Sequence, residues 1–398
     1  MKILQLCNKP PLPAIDGGCI AMNNITQGLL NDGHKVKILT IFTPKHDFNP
    51  HLYSQQYLDQ TNIEGVFVDT NVNIVDAFAS FMTSDSYNIT RFFSPDFDIK
   101  LTRLLKAEKY DVVHLESLFM TPYLHTIRRY STAPVVLRAH NVEYVIWEKL
   151  ASGNFHFAKK TYLKYLSAKL KRYELSMLSA VNGIAAISDE DVHRIVQMGI
   201  KKPLTNIPFG IDLEKYIPST KEPEMALFHI GSMEWSPNVE GIRWFLENVW
   251  SLIHERYPTL KLYLAGKGLS NATHFQYPNV VCVGEVENAV EFMNSKSIMI
   301  VPLLSAGGIR VKIIEGLALQ KAIISTPIGA DGIHCENGKH LFIAQSPEEW
   351  IQAIDQLVSK PELIKQLGKT GRHHVESTFD NRTITQNLVQ FYKELRKK

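Results

Sequence analysis

Cysteine is scarce in this chain of 398 residues: Cys7, Cys19, Cys282 and Cys335 stand far apart, with no Cys-x-x-Cys pair. That spacing excludes a disulfide framework and a cysteine-rich zinc knot, and it fits a reducing compartment. Long apolar runs are also missing. Nothing approaches the ~18 residues a membrane span needs, and the opening Met1-Lys2-Ile3-Leu4-Gln5-Leu6 yields to Asn8-Lys9 too early for a signal peptide. A cytoplasmic protein is expected, in which the sequons at Asn24, Asn88, Asn271 and Asn381 go unused. The net charge of +3 is too small to argue for a nucleic-acid partner. No Gly-x-Gly-x-x-Gly is present, against a nicotinamide-binding first domain. No Asp-x-Asp triplet is read at a suitable strand end, so neither metal nor other cofactor is expected.

What is present is an α/β alternation along almost the whole length. Strands are expected at Lys2–Cys7, Val36–Phe42, Val112–Leu115, Val135–Arg138, Gly183–Ile187 and Thr205–Pro208, with a helix over Ile20–Leu30 after the Gly17-Gly18 loop. The Pro-bearing, mixed-charge stretch Lys215–Glu224 reads as a linker. Strands then resume at Ala226–Ile230, Leu260–Ala265, Val280–Val283, Ile298–Pro302 and Ala322–Ser325, with helices at Val239–Ile253, Ala289–Met293 and Ile309–Leu319. The length exceeds one hydrophobic core, and two domains of roughly 150–200 residues are the physical expectation. The expected division is 1–215 and 216–379, with the C-terminal helix 380–398 packing back on the first domain. Two Rossmann-like domains would then face each other across a cleft, with ligands at the C-terminal ends of the strands.

The segment Val301-Pro302-Leu303-Leu304-Ser305-Ala306-Gly307-Gly308-Ile309-Arg310-Val311-Lys312-Ile313-Ile314-Glu315 carries the chemistry. A buried strand ends, small residues follow, and a helix is expected to open near Gly308, where free N–H groups can approach an anion. Arg310 and Lys312 in that first turn would oppose the helix dipole by roughly 0.3–1 kcal/mol each. A diphosphate between them would remove the conflict. Glu315, three residues beyond Lys312, shares its helix face and could accept from ribose hydroxyls. The competing reading is a solvent-exposed Lys–Glu pair on an ordinary helix.

This segment resembles the donor-binding stretch of GT4-type glycosyltransferases, in which two glutamates are separated by seven residues. Glu315 matches the second; Gly307 stands where the first, a sugar contact, is expected, so backbone groups at Gly307, Gly308 and Ile309 would have to serve. The run Gly308-Ile309-Arg310-Val311-Lys312 matches a subset of the family, and further similar segments follow its order: Gly17-Gly18, Arg138-Ala139-His140-Asn141-Val142-Glu143, Ala186-Ile187-Ser188-Asp189, Phe209-Gly210-Ile211-Asp212 and Gly231-Ser232-Met233 with Trp235 and Pro237-Asn238. The resemblance implies a GT-B fold and a retaining, metal-independent transfer of sugar from a UDP or GDP donor to a hydroxyl acceptor, a glycan or lipid-linked glycan, in polysaccharide, capsule or glycolipid assembly. It implies that Gly17 and Gly18 approach the diphosphate, that Gly231 lies at the donor, that His140 bonds the donor sugar, and that Gly284 and Val286 flank the nucleobase. Arg310 and Lys312 would stabilise the departing phosphate. Rival readings are a nucleotide-sugar epimerase and a non-catalytic nucleotide-sugar binder.

Other residues keep two readings. Glu143 is a polar contact or a helix N-terminal acid; His114 and Glu116 end a strand, where one could touch the acceptor. Residues 155–172 hold Lys159, Lys160, Lys164, Lys169, Lys171 and Arg172 without an acid, interleaved with Tyr162, Leu163, Tyr165 and Leu166. Such a helix either rests on an anionic membrane as a peripheral contact or presents a solvated face. The aromatic stretch Phe78–Phe97 is a candidate acceptor wall.

Overall fold

The structure, a computed structural model, describes residues 1–13, 17–69, 89, 91–151, 157–269, 275–305 and 309–397, with the side chains of 157–159 left outside that description. The chain divides into two compact units, Met1–Gly210 with Asn381–Lys398, and Ile211–Asp380. The division falls a few residues ahead of the Lys215–Glu224 stretch.

The first unit is built on a seven-stranded parallel sheet: β1 (Lys2–Cys7), β2 (Lys35–Phe42), β3 (Glu64–Phe67), β4 (Val112–Glu116), β5 (Val135–Ala139), β6 (Gly183–Ala186) and β7 (Leu204–Asn206), in the order β3-β2-β1-β4-β5-β6-β7. Strands such as Val-Val-His-Leu-Glu and Val-Val-Leu-Arg-Ala are buried along their whole length. That is the burial of central strands covered on both faces by helices. The second unit repeats the scheme with six strands, β8 (Glu224–Ile230), β9 (Leu262–Ala265), β10 (Val280–Gly284), β11 (Lys296–Val301), β12 (Ala322–Ser325) and β13 (Phe342–Ile343), in the order β10-β9-β8-β11-β12-β13. Two Rossmann-like units are therefore present.

β3 and β13 are the strands the sequence did not announce. Glu64-Gly65-Val66-Phe67 contains a glycine and leaves Phe67 exposed, and β13 is two residues long. Both are edge strands of four residues or fewer, too short to show a period.

Each sheet reverses its strand order once. β1 lies between β2 and β4, and β8 lies between β9 and β11. The connections run one way and then the other from those first strands, and a crevice opens at the carboxyl end of each switch point. In the first unit the register aligns Gln5 with His114, and Glu116 with both Cys7 and Arg138. These polar residues therefore share one face beside the β1/β4 switch.

The last helix of the chain, Asn381–Arg396, completes the first unit. Ile384, Leu388, Val389 and Tyr392 enter the same core as Ile25 and Leu29 from helix Gly17–Asn31. The two helices meet so closely that a Cβ on Gly28 would lie 2.0 Å from Thr385 Oγ1. In the second unit, helix Ser236–Phe245 passes through a π turn at Leu246–Trp250 into Ser251–Arg256, and Trp250 and Trp350 are fully buried.

Candidate functional site

At the β8/β11 switch point the second unit gathers residues from two strand ends. β11 ends at Val301, and the helix that follows is Val311–Ala318. It presents Ile313, Ile314 and Leu317 to the core, which fixes the direction of the remaining face. The helix begins later than the sequence implied: Arg310 is its N-cap, and Lys312 is the cation in the first turn. The opposition to the helix dipole therefore falls on Lys312.

Lys312 Nζ donates to Asn238 Oδ1 at 2.9 Å and lies 3.5 Å from His229 Nε2. Asn238 is in the first turn of helix Ser236–Phe245 and is anchored by Nδ2–H to Ser232 O. His229 is fully buried, and its Nδ1 lies 2.9 Å from Ile300 O. A carbonyl can only accept, so Nδ1 carries the proton and Nε2 offers a lone pair to the ammonium. Gly231 makes room for this arrangement, since a Cβ there would stand 2.5 Å from Nζ and 2.7 Å from Asn238 Nδ2. Burial is the largest cause that brings the Lys312 pKa from 10.5 down to about 7; nearby Arg310 adds to it, and Glu315 opposes it. Burial, then Lys312, holds the His229 imidazole well below its usual range. Lys312 as a whole residue is half-buried, and burial is still the largest influence on its ammonium.

Arg310 is 6% exposed, and its Nε has no hydrogen-bond partner. Burial lowers its pKa against the pull of Asp331. Among the described residues neither cation has a carboxylate at ion-pair distance; the contacts of Lys312 are neutral acceptors. Glu315 does not pair with Lys312: its Oε1 accepts from Tyr216 OH at 2.6 Å. Burial raises its pKa, partly offset by Tyr216 and Lys312. Tyr216 is held through its carbonyl by Arg372, which also bonds Ala318 O.

Ile309 is half-buried, and its Cγ1 would lie 3.2 Å from a Cβ on Gly332. Gly307 and Gly308 lie outside the described residues. Gly284 closes β10 at φ +82, next to half-buried Val286. Gly284 O accepts from Gly266 N–H at 2.7 Å, which ties the β10 end to the β9 end.

The first unit holds a second constellation at the β1/β4 switch. Gly17 and Gly18 open helix Gly17–Asn31, and a Cβ on Gly17 would meet nothing within 4 Å. His140 follows β5, and its Nε2 lies 2.8 Å from Glu116 Oε2. Glu116 is not placed to touch an acceptor; it is fully buried, as is His114. Glu143 is the first residue of helix Glu143–Ala151, and burial brings its pKa up to about 7. The N–H groups of Glu143 and Tyr144 donate to Glu174, at 2.9 and 3.0 Å.

His229 and Tyr216 were not legible as site residues, because each reaches the constellation from a distant segment, and Asn238 stood in a family-like segment without a role of its own. The triplet Asp189-Glu190-Asp191 does follow β6. Its carboxylates are engaged by Asn206 Nδ2, Arg194 and Ser188 Oγ, in the manner of acids at a helix start. Cys335, His340 and His374 also cluster. The two rings stack at 17°, and His340 Nδ1 accepts from Glu336 N–H. His374 Nε2 lies 2.8 Å from Ile333 O and so carries the ring proton, and one candidate ligand atom from each of the three residues falls within 4.8 Å of the others.

Of the basic segment, the side chains from Lys160 onward are described. Leu163, Ser167, Leu170 and Glu174 form the buried face of helix Phe157–Ala180, while Tyr162 and Tyr165 are 41% and 40% exposed. A groove of about 640 Å3 beside helix Glu143–Ala151 is lined by Lys160, Lys164, Lys171 and Glu148. Residues 78–88 and 90 of the aromatic stretch lie outside the described residues. No helix among the described residues is long and apolar enough to cross a membrane.

Comparison with known proteins gives two family matches: Glycosyltransferase Family 4 over residues 16–215, and Glycosyl transferases group 1 over residues 224–360. An uncharacterized 44.6 kDa protein in the cps region of Klebsiella pneumoniae is 22% identical over 98% of this chain and 99% of its own length. Among solved structures, Anabaena Alr3699/HepE in complex with UDP is similar at a TM-score of 0.67, with 13% identity over 99% of this chain and 100% of that one. Sucrose-phosphate synthase from Thermosynechococcus elongatus is similar at 0.65, with 13% identity over 99% of both chains.

Proposed function

Because this chain belongs to glycosyltransferase family 4, we propose that it moves a sugar from a nucleotide-diphosphate donor, UDP- or GDP-linked, to a hydroxyl acceptor, with Arg310 and Lys312 receiving the diphosphate. One observation carries the reading: two desolvated cations stand at the β8/β11 switch point without a carboxylate partner among the described residues. An uncompensated buried charge costs several kcal/mol. A fold retains such a pair where a ligand supplies the opposite charge. The Anabaena relative of the same fold was solved with UDP.

Charge then accounts for the catalysis. As the bond between the anomeric carbon and the diphosphate oxygen breaks, negative charge grows on the leaving phosphate, and Arg310 with Lys312 stabilises it in a desolvated setting. The two cations do the work that a divalent metal does elsewhere. The acceptor hydroxyl attacks from the face the diphosphate leaves, its proton passes to the departing phosphate, and configuration is retained. Glu315, with one oxygen engaged by Tyr216, keeps its other oxygen for the ribose hydroxyls. Gly17 and Gly18 approach the diphosphate, and Gly284 and Val286 flank the base. For the acceptor we propose a glycan or lipid-linked glycan, with the lysine-lined groove and exposed tyrosines of helix Phe157–Ala180 resting on an anionic membrane surface.

Thermal-shift titration with UDP and GDP tests the binding reading. Saturation at 100-fold over Kd should stabilise the protein by about 2.7 kcal/mol, and Arg310→Ala or Lys312→Ala should abolish the shift. A wild-type protein indifferent to both nucleotides would sink it. Conversion of the donor without an acceptor would favour an epimerase instead.

A further inference from the structure

We propose that Glu116 is a positioning residue that fixes His140 as a hydrogen-bond acceptor for a hydroxyl of the transferred sugar, with Tyr392 of the last helix completing the relay; this rests on the reading of the site given above.

Glu116 is fully buried at the end of β4 and is surrounded by donors. Gln5 Nε2 reaches Oε1 at 2.9 Å from β1, and His114 Nε2 lies 3.1 Å from the same oxygen. Arg138 Nη1 stands 3.7 Å from Oε2 on β5. Burial alone would favour the neutral acid. The fields of His114 and Arg138, with the hydrogen bond from His140, outweigh it and hold the carboxyl well below its usual range. An ionised carboxylate can only accept. His140 Nε2, at 2.8 Å from Oε2, must therefore carry the ring proton.

The consequence falls on the other nitrogen. Burial keeps the His140 imidazole below its ordinary pKa even with the carboxylate beside it, so the ring is neutral near pH 7 and Nδ1 is a lone pair. Among the described residues Nδ1 has no hydrogen-bond partner, and the side chain is 16% exposed. A neutral His140 with this tautomer cannot donate to a phosphate. It can accept from a hydroxyl, which is the commonest group on a sugar.

The relay is anchored at both far ends. Tyr392 OH lies 2.6 Å from His114 Nδ1, and Thr26 Oγ1 donates to Gln5 Oε1 at 2.8 Å, so neither Glu116 neighbour is free to turn. Tyr392 arrives from the C-terminal helix, and Thr26 from helix Gly17–Asn31. Three segments distant in sequence thus decide which nitrogen of His140 is bare.

The first test needs no variant. Nitrogen-15 NMR of the histidine-labelled, ligand-free protein should show His140 protonated at Nε2, and protonation at Nδ1 would overturn the proposal. The second measures affinity for a panel of UDP-glucose, UDP-galactose, UDP-N-acetylglucosamine and GDP-mannose against the bare diphosphates, taking the donor that wild type binds tightest. Glu116→Gln and His140→Phe should each lose the extra affinity given by the sugar, at least tenfold, with bare nucleotide bound within about threefold of wild type. Retention of the sugar increment in both variants would refute it. If wild type binds no nucleotide at all, the donor-site reading fails, whereas the tautomer measurement still decides the role of Glu116.

Discussion

Replacing Lys312 by methionine should make the ligand-free protein more stable near neutrality while removing its response to nucleotide. Depression of the lysine from 10.5 to about 7 corresponds to roughly 4–5 kcal/mol of unfavourable charge burial at 1.36 kcal/mol per unit. Methionine keeps most of the stem packing but leaves Asn238 Oδ1 and His229 Nε2 without their donor, a loss of about 1–3 kcal/mol. The net expectation is a gain on the order of 2 kcal/mol at pH 7. The pH dependence is the sharper signature. A lysine with a lowered folded pKa binds fewer protons when folded, so the penalty is complete below about pH 7 and fades as pH rises toward 10.5. Denaturant unfolding of the Ile211–Asp380 unit at pH 7.5 and 9.5 should show the advantage of Lys312→Met shrinking by roughly 2–3 kcal/mol. Lys321, brought down to about 8 mainly by burial, is present in both proteins and cancels in the difference. A gap that does not change with pH, or a variant less stable at both values, would refute the reasoning.

Other expectations follow from the same geometry. Arg310→Ala should lower kcat/KM by about 2–4 kcal/mol of transition-state stabilisation, measured with whichever nucleotide sugar wild type turns over; near-wild-type turnover removes the leaving-group role. Gly231→Ala drives a methyl group into Lys312 Nζ and should weaken UDP binding at least tenfold in calorimetry with the fold intact by circular dichroism. Glu174→Ala strips two N–H groups at the start of helix Glu143–Ala151 of their acceptor, and about 2–4 kcal/mol of stability should go, with faster hydrogen exchange confined to that helix start. Glu143, raised to about 7, favours folding while protonated. Its contribution declines as pH rises from about 4.5 through 7, and Glu143→Gln should remove that decline, roughly 3 kcal/mol in all, in urea titrations at pH 5 and 8. Lys160→Glu with Lys164→Glu should abolish sedimentation with phosphatidylserine-containing vesicles; equal sedimentation by the wild type and this variant would discard the membrane face.

Much of the architecture could be read from the residues because buried parallel strands announce themselves. Lys2–Cys7 and Ala322–Ser325 appear where the apolar runs placed them. β3, interrupted by Gly65, and β13, two residues long, are too short to carry that signal, whereas the edge strands β7 and β10 were expected from theirs. The phosphate-type segment was legible because cations after a glycine pair at a helix start are locally anomalous. Its partners were not. His229 lies on β8 and Asn238 on the next helix, and only the β8/β11 register brings them to Lys312. Glu315 was read as a neighbour of Lys312 by helical spacing, yet Tyr216 claims it, through a contact spanning 99 positions in sequence. Glu116 looked like a polar residue at a strand end, open to a substrate. Its burial depends on four neighbours that no local pattern connects.

Helix Asn381–Arg396 closes the first core with residues that leave the ribosome after the whole of the second unit. Until Leu388, Val389 and Tyr392 arrive, the core that helix Gly17–Asn31 shares with β1 and β2 is left open on one side and His114 has no phenol beside it. The second unit needs nothing beyond Asp380 and can be finished earlier. A chain cut just after Asp380 should therefore keep a folded second unit and lose the first one, the reverse of what a tail deletion ordinarily does.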